Sequence, residues 1–316
     1  MSRLPDSVRD VLRRGVLCYL AAPSPVGPHV TPVVYVLDGD RLWGTTGRGT
    51  TKASRWRADP LAGGVVGVGG RSVSFRGRVT LYDALDPDTW PASLRRGPQV
   101  ARASARFMVK NARFFAGYAR DVGSLPLAWS PPARVVFSVD LEAAAILDEG
   151  RPTERWGSWS LGVDALGSFR RLTGGLPPAR LPEDLKALAG RSGEGILGIG
   201  GRLGPVVFPC RWARSGGVFY AVMSRAVLEL AASSRHTIGS LVVDRASSWR
   251  AARMKGVLFR GPASPFVPRA VRSGSAALAD VIARAGDPAE DPAVVRIIPR
   301  TAVWWRGWSS GTVGRR

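Results

Sequence analysis

The chain has 316 residues, of which 45% are hydrophobic and 22% are charged, a composition that excludes wholesale disorder and allows two domains with separate cores. Its two cysteines, Cys18 and Cys210, are too few for a disulfide framework or a closed zinc site, so we expect buried thiols in a reducing cytoplasm. The formal net charge of +21 favours an anionic partner, such as nucleic acid, anionic lipid or a multiply charged cofactor.

The first half of the chain predicts one helix followed by antiparallel strands. Apolar side chains on one face of residues 4–12 indicate the helix, and the apolar run at 16–22 predicts a strand, because it is at the short limit for a signal peptide and recurs in the second half. Asp38-Gly39-Asp40 predicts a hairpin turn, since glycine accepts the positive φ of tight turns. The other predicted elements are strands at 30–37 and 41–46, a short helix at 50–58, strands at 65–68 and 72–82, a basic and aromatic helix at 88–120 and a strand at 134–147. No stretch reaches the roughly 18 apolar residues of a membrane span.

The second half repeats this order of elements. Residues 148–180 are rich in Gly, Pro, Trp and Arg without a clear period, which predicts a linker or an irregular insertion. From Leu181 the predicted elements are a helix, strands at 194–200, 205–213 and 218–223, a helix at 225–233, strands at 238–243 and 253–260, a helix at 273–285 and a last strand at 294–305. Helices beside antiparallel strands indicate the α+β class, and the number of strands indicates a small closed barrel.

The two halves differ at one chemically important place. A shift of 177 residues carries Leu4-Pro5-Asp6 to Leu181-Pro182-Glu183, but it also carries Thr51-Lys52 to Leu228-Glu229. A carboxylate repels the phosphate that an ammonium group attracts. We therefore expect that the first half kept an anion site that the second half lost.

The residues of that anion site lie where a predicted strand ends and the next helix begins. Hydroxyl groups, backbone N–H groups at a helix start and an ammonium group together make a phosphate cradle. The alternative is a solvated helix face with N-capping threonines. The residues concerned are Thr45, Thr46, Arg48, Thr50, Thr51, Lys52 and Arg55.

The order of these motifs resembles the pyridoxamine 5′-phosphate oxidase-like split-barrel superfamily, which includes flavin- and deazaflavin-dependent oxidoreductases. The resemblance covers residues 4–82 well and 134–147 loosely, and it reaches the second half through the internal repeat. The motifs that carry it are His29-Val30-Thr31-Pro32-Val33, the hairpin Asp38-Gly39-Asp40-Arg41-Leu42-Trp43, the helix from Thr51-Lys52 to Asp59-Pro60, and Arg76-Gly77-Arg78-Val79.

The resemblance implies two tandem split barrels, residues 1–147 with the cofactor site and residues 181–316 with a degenerate one. It implies FMN as the cofactor of an oxidoreductase acting on a small molecule. The flavin ring is expected beside Val30, Thr31, Pro32 and Val33, and the ribityl-phosphate arm near Thr45, Thr46, Thr51 and Lys52. Family members usually pair two barrels around the cofactor, so we expect the two barrels of this chain to pair internally around one groove. No side chain stands out as an acid or base, so no catalytic residue is assigned.

Several alternatives remain open at this stage. The cofactor F420 fits the same superfamily, and its polyglutamate tail suits the positive charge; a non-enzymatic flavin- or haem-binding protein and a charge-driven nucleic-acid-binding protein are further options. With only His29 and His236, a histidine-based metal site or catalytic triad is not expected.

Two further groups of residues have a structural and a functional interpretation. The first is a basic stripe at helical spacing, which is either a solvated face or a landing surface for an acidic tail or nucleic acid; it consists of Arg102, Arg106, Lys110 and Arg113. The second is a set of tryptophans that is either buried between the barrels or stacked on a ring; it consists of Trp156, Trp159, Trp304, Trp305 and Trp308.

Overall fold

Two antiparallel sheets, one in each half of the chain, form the architecture. The computed structural model describes residues 3–121, 123, 126, 133–159, 176, 181–201, 203–231, 237–247, 250–266, 276–285 and 291–314. His236 and most of the predicted linker lie outside these residues. None of the helices in the described ranges combines the length and the hydropathy that a bilayer crossing requires.

The first sheet closes into a barrel of six strands. The elements of this half are α1 (Asp6–Arg14), β1 (Leu17–Ala22), β2 (His29–Asp38), β3 (Arg41–Gly47), α2 (Thr51–Ala58), β4 (Leu61–Val68), β5 (Arg71–Tyr82), α3 (Trp90–Lys110), α4 (Ala112–Arg120), β6 (Arg134–Asp148) and β7 (Arg151–Gly157). The strand order is β3-β2-β1-β4-β5-β6-β7, and pairing of β3 with β6 closes the barrel.

The second sheet closes in the same way. Its elements are α5 (Glu183–Lys186), β8 (Ser192–Ile199), β9 (Val206–Ser215), β10 (Val218–Ser224), α6 (Arg225–Glu229), β11 (Thr237–Arg245), β12 (Lys255–Phe266), α7 (Ala276–Ala285), β13 (Pro292–Ile297), β14 (Thr301–Arg306) and β15 (Ser309–Gly314). The order is β11-β8-β9-β10-β13-β12-β14-β15, and β11 also pairs with β12. The predicted fold class, α+β with two tandem barrels, is confirmed.

The local signals in the sequence account for the turns of the first barrel. Gly39 adopts a φ of +62° between β2 and β3, where Asp38 pairs with Arg41. The α1 helix buries Val8, Val11 and Leu12 against the barrel core, as its apolar face predicts.

Two segments differ from the prediction. Residues 151–157, expected to belong to an irregular linker, form β7 along the edge of the first sheet. The single last strand expected at 294–305 is two strands, β13 and β14, interrupted at Pro299, which has no N–H for the ladder. A further hairpin strand, β15, follows them.

The two barrels pack directly against each other. A separate apolar cluster between them contains Val30 and Val65 of the first barrel and Leu258 of the second. The backbones approach so closely that a Cβ on Gly27 would lie 2.4 Å from the carbonyl oxygen of Gly239. The paired arrangement is therefore built within one chain.

Helix α3 is tied to the first barrel by ion pairs. Its buried residues Ala103 and Phe107 pack beside β2. The carboxylate of Asp38, which is buried, accepts hydrogen bonds from Arg102 at 2.8 and 2.9 Å and from Arg106. Half of the predicted basic stripe is therefore bound to the protein's own carboxylate.

Candidate anion-binding site between the barrels

Lys52 is buried without a carboxylate partner among the described residues. Thr50 caps α2, its Oγ1 accepting a hydrogen bond from the Ala53 N–H at 3.3 Å, and the first turn then directs Lys52 inward. The Lys52 side chain is 3% exposed, and its Nζ lies 3.5 Å from the Thr31 carbonyl oxygen and 5.7 Å from the ring centroid of Trp56. Burial lowers the pKa of Lys52 to about 7. This ammonium group lacks the counter-charge that a buried cation normally has.

Lys52 lies near a second buried basic side chain, His29, which is also near two arginines. His29 at the start of β2 is buried, and its pKa is lowered to about 3 by burial and then by Lys52, Arg260 and Arg55. Arg260 comes from β12 of the second barrel, and its pKa is lowered by burial and by Arg55. We call Lys52, His29, Arg55 and Arg260 the cationic cluster. It joins both barrels.

The cationic cluster contains buried polar atoms that form no hydrogen bond within the described chain. These are His29 Nδ1 and Arg260 Nε, each in a residue that is 8% exposed. Buried polar groups are nearly always paired in folded proteins, so these two atoms mark a place where the described chain leaves hydrogen-bonding capacity unused.

The wall of the second barrel continues this pattern along β14. Thr301 and Trp305 lie opposite Arg260 and Gly256 in the ladder between β12 and β14. Thr301 Oγ1 and Trp305 Nε1 are also buried without a hydrogen-bond partner in the described residues. Trp305 packs on the apolar cluster between the barrels, as the structural interpretation of the tryptophans predicted.

The equivalent arginine of the other barrel has partners. Arg76 and Arg260 occupy the same place in a repeated pattern, Val73-Ser-Phe-Arg-Gly77 and Val257-Leu-Phe-Arg-Gly261. Arg76 donates to the Leu203 carbonyl oxygen at 3.1 Å and to the Ser158 carbonyl oxygen, and its guanidinium lies 5.1 Å from the Trp159 ring centroid. The chain itself therefore supplies contacts to Arg76 that are not recorded for Arg260, whose Nε is buried without a hydrogen-bond partner in the described residues.

The residue equivalent to Lys52 is also different in its surroundings. Glu229, at the end of α6, is 38% exposed and accepts a hydrogen bond from Arg225 at 3.2 Å. The ion pair lies within one helical turn near the surface. The position of the second barrel that is equivalent to Lys52 thus holds a paired carboxylate and not a buried cation.

Some predicted site residues lie at the cationic cluster and others do not. Val30 packs between the barrels, Thr31 offers its carbonyl oxygen to Lys52, and Pro32 and Val33 follow on the same strand, half-buried. Thr51 is exposed at the first position of α2. Arg55 is exposed at the edge of the cluster.

Thr45, Thr46 and Arg48 are held by other residues. The Thr45 hydroxyl accepts from Arg134 at 2.9 and 3.0 Å, and the Thr46 hydroxyl lies 3.2 Å from that of Thr50. Arg48 donates to both oxygens of Asp83 at 2.9 and 3.0 Å and lowers the pKa of that carboxyl. The recorded hydrogen bonds of these three side chains thus go to Arg134, Thr50 and Asp83, and none of them goes to Lys52.

Arg260 and Thr301 were not predicted. The repeated pattern Val-x-Phe-Arg-Gly was visible in the sequence, but its meaning depends on which barrel face each arginine reaches. That relation appears only when the two barrels are packed together.

Two cavities lie away from the cationic cluster. One of about 650 Å³ is bounded by α4, the start of β1 and Arg250, and one of about 410 Å³ by β1, β4 and Ile196. No predicted cofactor residue lines either. Across the described ranges, no group of three or more His, Cys, Asp or Glu is placed to hold a metal ion.

The chain was compared with known proteins. No protein-family model matches it, and a search of curated proteins finds no match. Solved structures similar to it include a FAD-binding protein from Mesorhizobium loti, with 20% identity and a TM-score of 0.33 over 46% of this chain and 95% of the other.

Two further structures carry related descriptions. A pyridoxamine 5′-phosphate oxidase-related, FMN-binding protein from Nostoc punctiforme has 18% identity and a TM-score of 0.35 over 49% of this chain and 91% of the other. A protein described as F420 reductase has 20% identity and a TM-score of 0.29 over 48% and 98%.

Proposed function

We propose that the chain binds FMN between its two barrels and acts as an oxidoreductase on a small-molecule substrate. The observation that supports this is the cationic cluster, in which Lys52, His29 and Arg260 are more than nine-tenths buried and have no carboxylate partner in the described residues. A phosphate dianion supplies the counter-charge and the hydrogen-bond acceptors that these groups lack.

Each residue of the cluster has a distinct task in holding a phosphate. Lys52 contributes the ammonium charge from the first barrel, and Arg260 contributes a guanidinium from the second. Because its pKa is low, His29 is neutral near pH 7 and contributes an imidazole without adding charge. Arg55, on the exposed side, attracts the anion to the groove.

The walls on either side of the cluster suit a flat ring. Val30 of β2 and Trp305 of β14 pack in the apolar cluster between the barrels, and Thr31, Pro32 and Val33, which are half-buried, offer the edge against which we propose that the ring lies. A bound flavin supplies the hydride or electron chemistry. The residues of this chain hold and orient it and keep water from the buried side.

One cofactor per chain follows from the asymmetry of the two barrels. The groove beside Arg76 is occupied by Ser158 and Trp159, and Glu229 replaces the lysine. We therefore propose that residues 1–147 hold the cofactor and that the second barrel contributes the facing wall.

F420 is the second candidate, supported by the cavity of about 650 Å³. Its lining includes Lys110, Arg113, Arg120 and Arg250, a surface that suits a polyanionic tail. Absorbance and mass of the cofactor that copurifies with the chain distinguish FMN from F420.

The test replaces Lys52 of the first barrel by glutamate, the residue at the equivalent position 229 of the second barrel. We expect Lys52→Glu to lower FMN affinity at least about tenfold, because a buried carboxylate faces the phosphate. Isothermal titration with FMN gives affinity and stoichiometry, and the matched control is Lys186→Glu, at a half-buried lysine of α5 whose ion pair is with Glu183 on the same helix. The melting temperature of the cofactor-free protein shows whether the variant folds. Equal FMN binding by both variants would contradict the placement of the phosphate.

A further inference from the structure

The outward face of α3 is apolar along its length. Leu94 and Val109 are 82% and 78% exposed, and Trp90 and Met108 are 50% and 51% exposed. At 100° per residue these positions lie within about one third of the helix circumference, opposite the buried Ala103 and Phe107. Exposed Ala101 and Ala105 continue the surface. We call Trp90, Leu94, Ala101, Ala105, Met108 and Val109 the α3 apolar face.

Basic side chains border the α3 apolar face. Residues 90–120, which span α3 and α4, contain seven Arg or Lys and no Asp or Glu. Some of these cations are paired with carboxylates of the barrel, as Arg102 is with Asp38. At 100° per residue Arg95, Arg102 and Arg106 lie along one side of this face. Arg95 has no carboxylate partner in the described part of the chain, and Arg102 and Arg106 share the single carboxylate of Asp38, so this border carries an excess of positive charge.

We propose that α3 docks the protein on an anionic lipid surface, with the α3 apolar face at the boundary between headgroups and acyl chains. A helix with aromatic and aliphatic residues on one side and arginines beside them binds such interfaces through apolar burial and attraction to anionic headgroups. Trp90 suits this position, because its indole N–H donates to the Ala84 carbonyl oxygen at 3.1 Å while the residue stays half exposed.

The charge favours a lipid surface over the other occupants. A second copy would bring another protein of net charge +21 against the same basic border, and like charges at close range repel. Nucleic acid would neutralise the arginines but leave the apolar residues without a partner. An anionic bilayer satisfies both features. The 21 residues of α3 span about 30 Å, enough to lie flat on it.

Co-sedimentation with vesicles tests the proposal. We expect the wild type to bind vesicles of phosphatidylcholine mixed with phosphatidylglycerol at least about tenfold more strongly than phosphatidylcholine alone, with the difference reduced by salt. The double variant Leu94→Glu/Val109→Glu should lose this binding. Both side chains are exposed, so the fold is kept, as circular dichroism would show. Leu203→Glu, at an exposed leucine elsewhere, is the matched control and should bind like the wild type.

Three outcomes would overturn the proposal. They are equal binding to both kinds of vesicle, binding to neither, and unchanged binding by the double variant. Sedimentation velocity of the same samples identifies the competing occupant: a wild-type dimer that the double variant converts to monomer would show that a second copy covers the α3 apolar face. FMN binding should be the same in all three proteins, because the cationic cluster lies on other elements.

Discussion

At the scale of single residues, Lys52 and Glu229 differ in their effect on the free energy of unfolding as well as in their charge. A buried ammonium group without a counter-charge destabilises the cofactor-free protein, whereas a carboxylate near the surface, paired with Arg225, costs little. Proteins keep such unfavourable groups where function requires them. Lys52 is therefore the residue whose ionisation should report on both stability and binding.

We expect the stability of the cofactor-free protein to rise as pH increases from about 7 to about 10.5. Burial holds the pKa of Lys52 near 7, whereas its ordinary value is 10.5, so between these values the unfolded chain binds more protons than the folded one. Urea denaturation at several pH values measures this slope, and Lys52→Met should reduce the rise by up to about 5 kcal/mol over the range. The pKa of Lys110 is lowered to about 8, so Lys110 also makes the free energy of unfolding rise between pH 8 and 10.5. Lys110→Met therefore serves as the comparison that separates the two lysines. A slope unchanged by Lys52→Met would show that its ammonium group is not buried.

At the scale of elements, the sequence predicted what local patterns determine. The β2–β3 hairpin follows from Gly39, and α2 follows from a threonine cap before a short helical run. The extent of β7 was missed because its residues alternate in exposure at a sheet edge and show no apolar run. The break at Pro299 was missed because the surrounding apolar residues suit one strand. Ion pairs such as that between Asp38 and Arg102 connect residues distant in sequence, and no local pattern shows them.

Asp38→Asn tests how α3 is held on the barrel. Asp38 is buried and accepts from Arg102 and Arg106, whose side chains are 59% exposed, so water compensates the two arginines in part. We expect a loss of about 1 to 2 kcal/mol in the free energy of unfolding and faster proteolysis within α3. Glu142→Gln, in an exposed pair with Arg78, should change stability by less than about 0.5 kcal/mol. If the two variants lose the same stability, α3 is held by apolar packing instead of by Asp38.

At the scale of the whole molecule, the repeat predicted two barrels and an asymmetry between them. It did not predict which arginine has a buried Nε without a hydrogen-bond partner. Arg76 and Arg260 both lie between Phe and Gly in sequence, but Leu203, Ser158 and Trp159 contact Arg76 in the packed structure. The part of the candidate site that lies in residues 29–55 could therefore be predicted from the sequence. The part that the second barrel contributes could be identified only from the three-dimensional arrangement.

The asymmetry also predicts that restoring the lysine does not restore a second site. We expect Glu229→Lys to bind one FMN per chain, like the wild type, because the Ser158 carbonyl oxygen and the Trp159 ring still occupy the place beside Arg76. Trp159→Ala with Glu229→Lys removes part of that obstruction and should weaken the cation–π contact of Arg76 by about 1 kcal/mol without affecting Lys52. Isothermal titration gives the number of sites in each variant. If Glu229→Lys alone binds two FMN molecules, the charge of Glu229, and not the contacts of Ser158 and Trp159 with Arg76, prevents binding at the second site. If Glu229→Lys instead binds one FMN per chain with unchanged affinity, then the segment that follows β7, which contacts Arg76, is what prevents binding at the second site.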